Sequence, residues 1–181
     1  MKWLYLCAGI LFCSYSSHAQ NRFFVERASI AFTSNAELEV IKASSDQIEG
    51  LLDPSSNKFA FSVKMLSFKG FNSGLQREHF NEKYLESERF PTASFSGKII
   101  EDLDLTKEGT YEVRAKGDLE IHGVKQTRII KSKLTVSKGK VSIETNFTVP
   151  LSDHNIMIPK IVGQKIATEI EVVFSSTMVL K

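Results

Sequence analysis

The sequence predicts an all-β domain built from eight amphipathic strands, and three observations support this fold class. Apolar and polar residues alternate with a period of two along most of the chain after Gln20, as in strands that bury one face. Short Gly-, Asn- and Ser-containing stretches separate several of these strands at the spacing of tight hairpins. Only the stretch 71–90 has a clearly helical composition.

Composition and charge exclude several classes of protein. The chain has 181 residues, of which 42% are hydrophobic and 24% are charged, as in ordinary globular domains and unlike disordered, collagen-like or multi-span membrane chains. The formal net charge of +2 is too balanced to argue for a nucleic-acid partner, and none is expected. The length suits one domain with its own core.

The first 19 residues are predicted to be a secretory signal peptide. Met1-Lys2 is a charged start, Trp3 to Phe12 is an apolar run, and small and polar residues lead to a cleavage site between Ala19 and Gln20. The apolar run is shorter than the roughly 20 residues of a spanning helix, which disfavours an uncleaved anchor. We therefore expect an exported domain over 20–181, periplasmic in a Gram-negative source or otherwise secreted.

Both cysteines, Cys7 and Cys13, lie within the predicted signal peptide. A lipoprotein is disfavoured because the residues before them, Leu6 and Phe12, are large, whereas a lipid-attachment motif has a small residue there. The exported domain then has no disulfide and no Cys-ligated metal, so its core alone must stabilise it.

The strands follow one another with short connections. The clearest alternation runs from Tyr111 to Ile121, where odd-numbered positions are apolar or small and even-numbered positions are charged. Tight turns are predicted at Pro54 to Asn57, at His122-Gly123 and at Lys138-Gly139-Lys140. The eight predicted strands lie at 23–33, 44–53, 57–68, 92–104, 109–121, 124–137, 139–150 and 165–178.

One helical insertion interrupts the strands. Ser73 and Gln76 have the spacing of a capping box, which predicts that a helix begins there and continues towards Tyr84. Pro91 ends the helical stretch and restarts extended chain. A second short helical turn is predicted at 36–42.

Eight amphipathic strands must bury their apolar faces, either between two stacked sheets or inside a closed barrel. The barrel is favoured because closure leaves no exposed sheet edge. An eight-stranded barrel is wide enough for its own side chains or for one small ligand. Small residues on the inward faces favour a cavity because they leave room, and the sequence has Ala93, Gly97, Ala115 and Gly117 at such positions.

Several segments resemble one known family. They are the paired Phe59 and Phe61, the helix Leu75-Gln76-Arg77-Glu78-His79-Phe80, Tyr84-Leu85, Phe90-Pro91-Thr92-Ala93-Ser94-Phe95, Leu119 to Val124 (LEIHGV), and Leu151-Ser152-Asp153 with Ile156. Over nearly the whole exported domain the chain resembles the YceI-like family of exported lipid- or polyisoprenoid-binding proteins. It does not resemble the lipocalins proper, because the single tryptophan, Trp3, precedes the domain.

The resemblance implies a lipocalin-like, eight-stranded antiparallel barrel with a short helical insertion, and a lipid-like or isoprenoid chain held in its interior. The helix from Ser73 to Tyr84 is then expected to cover and gate an opening. The residues expected to line the hydrophobic tunnel are Phe59, Phe61, Val63, Phe68, Phe71, Leu75, Phe80, Tyr84, Phe95, Val113, Ala115, Phe147, Ile156 and Ile158.

Other polar groups do not combine into a recognisable catalytic or metal site. His79, His122 and His154 fall on a helix, a hairpin and a loop without metal-ligand spacing. The acidic run Glu101 to Asp104 lacks the spacing of a calcium loop. No nucleophile elbow, phosphate-binding loop or HExxH motif is present. We expect a protein that is not an enzyme and needs no metal or cofactor.

The sixth predicted strand is basic, and its charges leave two interpretations open. Lys131 and Lys133 have the parity opposite to that of Ile130 and Leu134, so they should face solvent. They belong either to an ordinary solvated exterior or to a surface that contacts an anionic membrane transiently or binds a diphosphate head group. A homodimer also stays open, as does the alternative that the barrel is filled by its own side chains and serves as a structural or interaction module of the cell envelope.

Overall fold

The structure is a computed structural model and describes residues 21–181; the predicted signal peptide lies outside these residues. One short helix, α1 (Gly74–His79), continues directly into a π-helical turn at Phe80–Tyr84. Short 3-10 turns occur at Met65–Ser67, Leu151–His154 and Lys160–Val162. The strands are β1 (Phe23–Asn35), β2 (Val40–Ser45), β3 (Ile48–Asp53), β4 (Lys58–Lys64), β5 (Thr92–Ile99), β6 (Gly109–Ile121), β7 (Val124–Ser137), β8 (Lys140–Pro150) and β9 (Glu169–Leu180).

The strands close into an antiparallel barrel. Consecutive strands from β3 to β9 pair with one another, and β9 pairs with β1 along most of its length. The other edge of β1 pairs with β2 through residues 30–35 and with β3 through Phe23 and Phe24. Strands β2 and β3 therefore act as two halves of one interrupted strand, and the predicted eight-stranded barrel is confirmed.

The interruption between β2 and β3 has a local cause. The hydroxyl of Ser45 accepts a hydrogen bond from the backbone N–H of Gln47 and shares another with the hydroxyl of Ser67, at 2.6 Å. The N–H of Gln47 thus bonds to a side chain instead of to a neighbouring strand, and the predicted single strand at 44–53 is divided there.

Other boundaries also differ from the prediction. The strand predicted at 57–68 ends at Lys64, because Met65–Ser67 form a 3-10 turn, and the strand predicted at 165–178 runs from Glu169 to Leu180. The helical turn expected at 36–42 is wrong, because Val40 already pairs with Asn35 and begins β2. Strand β5 ends at Ile99 rather than at 104. The carboxylate of Glu101 accepts a hydrogen bond from the backbone N–H of Arg114, which a longer β5 would need for its ladder.

The predicted hairpin turns are confirmed, and their backbone angles explain the residues found there. His122 and Gly123 both have positive φ, at 52° and 71°, and Lys138 and Gly139 do as well, at 51° and 70°. Two consecutive positive φ angles define the type I′ turn, whose twist matches that of antiparallel strands.

The helical insertion begins as predicted. The hydroxyl of Ser73 accepts a hydrogen bond from the N–H of Gln76, and the side chain of Gln76 accepts one from the N–H of Asn72. The insertion lies at one end of the barrel, where Phe80 contacts Phe32 of β1. We call this the helix end.

Candidate functional site: an apolar cavity inside the barrel

A cavity of about 110 Å³ lies in the barrel interior. Its wall is almost entirely apolar because alternate residues of successive strands point inward. Hydroxyl-bearing residues contribute at only four positions of the lining. The lining residues are Ile30, Ile48, Leu52, Phe59, Phe61, Ser62, Val63, Ala93, Ser94, Phe95, Ile99, Val113, Ala115, Leu119, Ile130, Ser132, Leu134, Ile143, Thr145, Phe147 and Phe174.

Half of the predicted tunnel residues line this cavity. They belong to four strands, β4, β5, β6 and β8, whose alternation is clear in the sequence. Whether they bind a ligand stays a prediction. These residues are Phe59, Phe61, Val63, Phe95, Val113, Ala115 and Phe147.

Aromatic rings define the cavity's shape. The rings of Phe59 and Phe95 are 5.0 Å apart between centroids, and those of Phe61 and Phe174 are 5.3 Å apart. Gly50 on β3 has no side chain where the Phe61 ring lies, since a Cβ there would come within 2.2 Å of Phe61 Cδ1. The absence of a side chain at Gly50 therefore leaves room for the Phe61 ring, which lies beside the cavity.

Three of the other predicted residues form an aromatic cluster at the helix end. Phe68, Phe71 and Phe80 pack with Phe32, and the stacked rings of Phe32 and Phe80 are 5.4 Å apart. Phe71 and Phe80 are 5.1 Å apart. This aromatic cluster packs under the insertion and does not line the cavity.

The remaining four predicted residues also lie outside the cavity lining. Ile156 is buried, and Tyr84 and Ile158 are half-buried, all three packed in the same core cluster as Phe68. Leu75 differs, because its side chain on α1 is 59% exposed. None of these four residues therefore contacts the cavity as the structure stands.

Strand parity could have identified most of the lining residues that the prediction omitted. Phe174 shares its face of β9 with Val172 and Met178, and Leu119 shares its face of β6 with Val113 and Ala115. Parity does not assign Ile30 to the interior as directly, because a β-bulge near Val25 shifts the alternation of β1.

The expectation that inward glycines enlarge the cavity is wrong for Gly97 and Gly117. They are paired directly across β5 and β6. A Cβ at Gly97 would lie 2.1 Å from the carbonyl oxygen of Lys116, and one at Gly117 would lie 2.3 Å from that of Ser96. The space is filled by neighbouring backbone, so this glycine pair lets β5 and β6 approach each other closely. Ala93 and Ala115 do line the cavity.

The segments that carry the family resemblance meet in a polar network. Both ring nitrogens of His122 face acceptors: Nε2 lies 3.0 Å from Glu86 Oε1, and Nδ1 lies 3.1 Å from the carbonyl oxygen of His154. Both acceptors receive a hydrogen bond only when both ring nitrogens carry a proton. His122 also packs edge-on against Phe90, 4.7 Å between centroids.

The same network lowers the pKa of Glu86. The hydrogen bond from His122 is the largest cause, and the charges of His122 and Arg89 add to it. His154 is fully buried, and its Nδ1 donates to the carbonyl oxygen of Val124 at 3.0 Å. These contacts connect the β6–β7 turn to two loops, which is a structural role for both histidines.

The remaining polar candidates are engaged locally. Glu101 accepts hydrogen bonds from both the backbone N–H and the guanidinium of Arg114, each at 2.7 Å, and these lower the pKa of Glu101. Asp104 accepts from Thr106. His79 lies 3.1 Å from the amine of Lys83 on the exposed insertion. Within residues 21–181 no three His, Cys, Asp or Glu side chains are grouped closely enough to hold a metal ion.

The ladder between β7 and β8 covers only part of their length. It runs from the pair Ser132–Thr145 to the pair Ser137–Lys140, so residues 124–131 and 146–150 face each other without ladder pairing. Side chains bridge the gap: Arg128 Nη2 donates to the carbonyl oxygen of Thr148 at 3.0 Å, and Thr145 Oγ1 donates to that of Lys131 at 2.7 Å. We call this gap the β7–β8 seam.

The basic strand predicted from the sequence faces solvent but is largely neutralised. Lys131 and Lys133 are exposed, as expected. Lys133 lies 3.8 Å from Glu144, Lys125 lies 3.6 Å from Glu120, and Arg128 lies 3.5 Å from Asp153. In the part of the chain that the structure describes, no helix has the length and hydropathy needed to cross a bilayer.

Several solved structures share this fold at low sequence identity. A polyisoprenoid-binding domain from Saccharophagus degradans, implicated in plant cell wall breakdown, is 12% identical with a TM-score of 0.75, and the match covers 88% of this chain and 98% of that one. BcnA of Burkholderia cenocepacia is 13% identical with a TM-score of 0.69, covering 83% and 95%. The YCEI protein of Campylobacter jejuni is 16% identical with a TM-score of 0.61, covering 81% and 88%.

The sequence itself matches a family. No curated protein sequence matches the chain. The YceI-like domain matches residues 16–178, which include all nine strands except the last two residues of β9. The eight-stranded barrel, its helical insertion and this match together place the chain in the YceI-like domain family.

Proposed function

We propose that the protein binds the apolar chain of a lipid or isoprenoid inside its barrel and, once exported, carries or sequesters it. The single observation that carries this proposal is the apolar cavity in the interior of the barrel. The fold shared with a polyisoprenoid-binding domain supports the same ligand class.

Burial of hydrocarbon is sufficient to drive such binding. Each buried methylene contributes about 0.8 kcal/mol, so ten of them contribute about 8 kcal/mol. This is comparable to the cost of association, which is roughly 4–15 kcal/mol. No catalytic group is needed, and we propose a function that is not enzymatic.

The cavity holds a short segment of chain as it stands. Apolar cavities of about 150 Å³ accept a guest the size of benzene, and this one measures about 110 Å³. A longer chain requires side chains to move, and the aromatic cluster of Phe32, Phe68, Phe71 and Phe80 lies in its path at the helix end. We propose that these rings rotate to extend the cavity into a tunnel.

The insertion from Ser73 to Tyr84 is suited to act as the gate. None of its helical residues is buried, and Phe80 provides its ring contacts to the aromatic cluster. The other attachments are polar, such as Gln76 Nε2 donating to Glu39 Oε1 at 2.6 Å and Arg77 donating to the carbonyl oxygen of Leu66. Segments with few buried contacts open at low free-energy cost.

Cross-linking tests this gate. In a protein of residues 20–181, which has no cysteine, Glu39→Cys with Gln76→Cys joined by a reducible bismaleimide should slow uptake of all-trans-retinol, a fluorescent isoprenoid. Reduction of the linker should restore the rate. The control joins Glu112→Cys to Lys133→Cys, which already pair across β6 and β7.

The β7–β8 seam offers the competing route. Cross-linking Arg128→Cys to Thr148→Cys would close it without touching the insertion. Unchanged uptake in the first cross-linked variant and slow uptake in this one would assign the route to the seam and contradict gating by the insertion.

The binding function itself is tested by extracting the purified protein with solvent and analysing the extract by mass spectrometry. A stoichiometric lipid together with saturable retinol binding supports it. Repeatedly empty extracts and no retinol binding would refute it. They would favour the second candidate, a filled barrel acting as a structural or interaction module, which the packed aromatic cluster specifically supports.

Export is part of the proposal and has its own test. Protein recovered from the periplasm or medium of the producing cell should begin at Gln20. A mature chain that retains Met1 would contradict the predicted cleavage. Self-association into a homodimer is open to measurement by sedimentation of the same material.

A further inference from the structure

Large apolar side chains are exposed around the helix end of the barrel. The two most exposed, Ile161 at 92% and Met157 at 87%, lie on the loop between β8 and β9. We call the whole set the apolar rim: Leu38, Val40, Leu66, Leu75, Met157 and Ile161.

Hydrogen bonds show that the rim's segments are neighbours. The N–H of Leu38 donates to the carbonyl oxygen of Gln164, which joins the β1–β2 loop to the loop that carries Ile161. Asn72, next to α1, donates to the carbonyl oxygen of Val40 at 3.0 Å, and Arg77 of α1 donates to that of Leu66 at 3.1 Å. The rim therefore includes Leu75 of the insertion that we propose as the gate, and its β1–β2 and Met65–Ser67 segments adjoin that insertion.

The segment of this loop that carries Met157 and Ile161 has only positive charges, and the loop's one carboxylate, Asp153, precedes that segment and is paired with Arg128. Residues 154–168 contain Lys160 and Lys165, both exposed, and no Asp or Glu. Neither amine lies within ion-pair distance of a carboxylate in the described chain, unlike Lys133 and Arg128 of β7. Two exposed apolar side chains flanked by unpaired lysines match the chemistry of an anionic lipid surface.

We propose that the apolar rim docks on a bilayer containing anionic lipid, with Met157 and Ile161 inserted among the headgroups and Lys160 and Lys165 facing lipid phosphates. Docking would let the protein collect or deliver an insoluble lipid through the adjacent gate. This purpose rests on the proposed function. A second copy of the chain fits less well, because a two-fold contact through this loop would bring the same lysines together.

Vesicle binding tests the proposal. The protein should cosediment with phosphatidylglycerol-containing vesicles more than with pure phosphatidylcholine vesicles, and salt should weaken the difference. The double variant Met157→Ser with Ile161→Ser should bind roughly tenfold more weakly. The control, Ile129→Ser with Val173→Ser, changes two side chains that are each 57% exposed on the barrel wall and should bind like wild type.

Retinol binding of the same proteins in vesicle-free solution separates this proposal from the proposed function. Lost docking with unchanged retinol binding in the rim variant supports the docking surface. Equal vesicle binding by the wild type and both variants overturns it. The proposal is also overturned, in favour of a second copy of the chain, if the wild type does not bind vesicles but forms a concentration-dependent dimer that the rim variant does not form. Docking by a wild type that binds no retinol leaves the surface standing and removes the proposed cargo function.

Discussion

Replacing Ala115 with Phe should block ligand uptake while leaving the barrel folded. Ala115 is 8% exposed and lies on β6 between Ile99 and Ile130 on the neighbouring strands, with its methyl group at the cavity. A phenyl ring at this position points into the only space available to it, which is the cavity that the proposed ligand would occupy.

The size of the effect follows from the cavity. A ring that excludes a ligand segment of about five methylene-sized groups removes about 4 kcal/mol of burial. This corresponds to roughly a thousandfold increase in Kd. Because the added atoms enter existing space, the cost to folding should stay at the lower end of the range for overpacking, about 1 kcal/mol, or roughly 2–4 °C in Tm.

Retinol fluorescence titration and thermal unfolding measure the two quantities. Lys116→Phe is the matched control. It places the same phenyl ring at the next position of β6, where the side chain is exposed to solvent and not at the cavity. Wild-type affinity in a folded Ala115→Phe variant would show that the ligand does not use this cavity. A Tm loss far above the control's would show instead that the cavity cannot admit the ring.

Two further predictions concern stability. Gly117→Ala should lower the free energy of unfolding by about 1–3 kcal/mol, because the added Cβ would meet the carbonyl oxygen of Ser96. The control is Gly74→Ala at the start of α1, where an added Cβ meets nothing and the free energy of unfolding should not fall. Equal Tm values for the two variants would contradict the close approach of β5 and β6. Hydrogen bonds hold the pKa values of Glu86 and Glu101 below their ordinary 4.5. The two ionised carboxylates therefore stabilise the fold above that pH, and their contribution is lost as the pH falls below it. Tm should drop between about pH 5 and pH 3, and Glu101→Gln should make this drop smaller.

Local features of the fold could be predicted because their causes are local. The alternation from Tyr111 to Ile121 assigns one face of β6 to the interior, whatever the strand's neighbours are. The residues His122-Gly123 select a type I′ turn, and Ser73 caps α1 through its own hydroxyl. These rules act over a few residues, so the approximate places of most strands and the start of the helical insertion agree with the structure, and half of the residues predicted for the tunnel lie at the cavity wall.

The dimensions and limits of the site depend on contacts between residues far apart in the chain. Alternation assigns a residue to a face but not to a level in the barrel, so it could not separate Phe59, which lines the cavity, from Phe68, which packs in the aromatic cluster. Nor could it show that Gly97 and Gly117 meet across two strands.

The sequence by itself therefore determined the class of fold, the order of its strands and the apolar character of its interior. Only the tertiary structure decided how large the cavity is, which end the aromatic cluster closes, and where the β7–β8 seam interrupts the wall. The physical reason is that strand register and barrel closure arise from pairings across the whole chain, such as β1 with β9, which no local pattern contains.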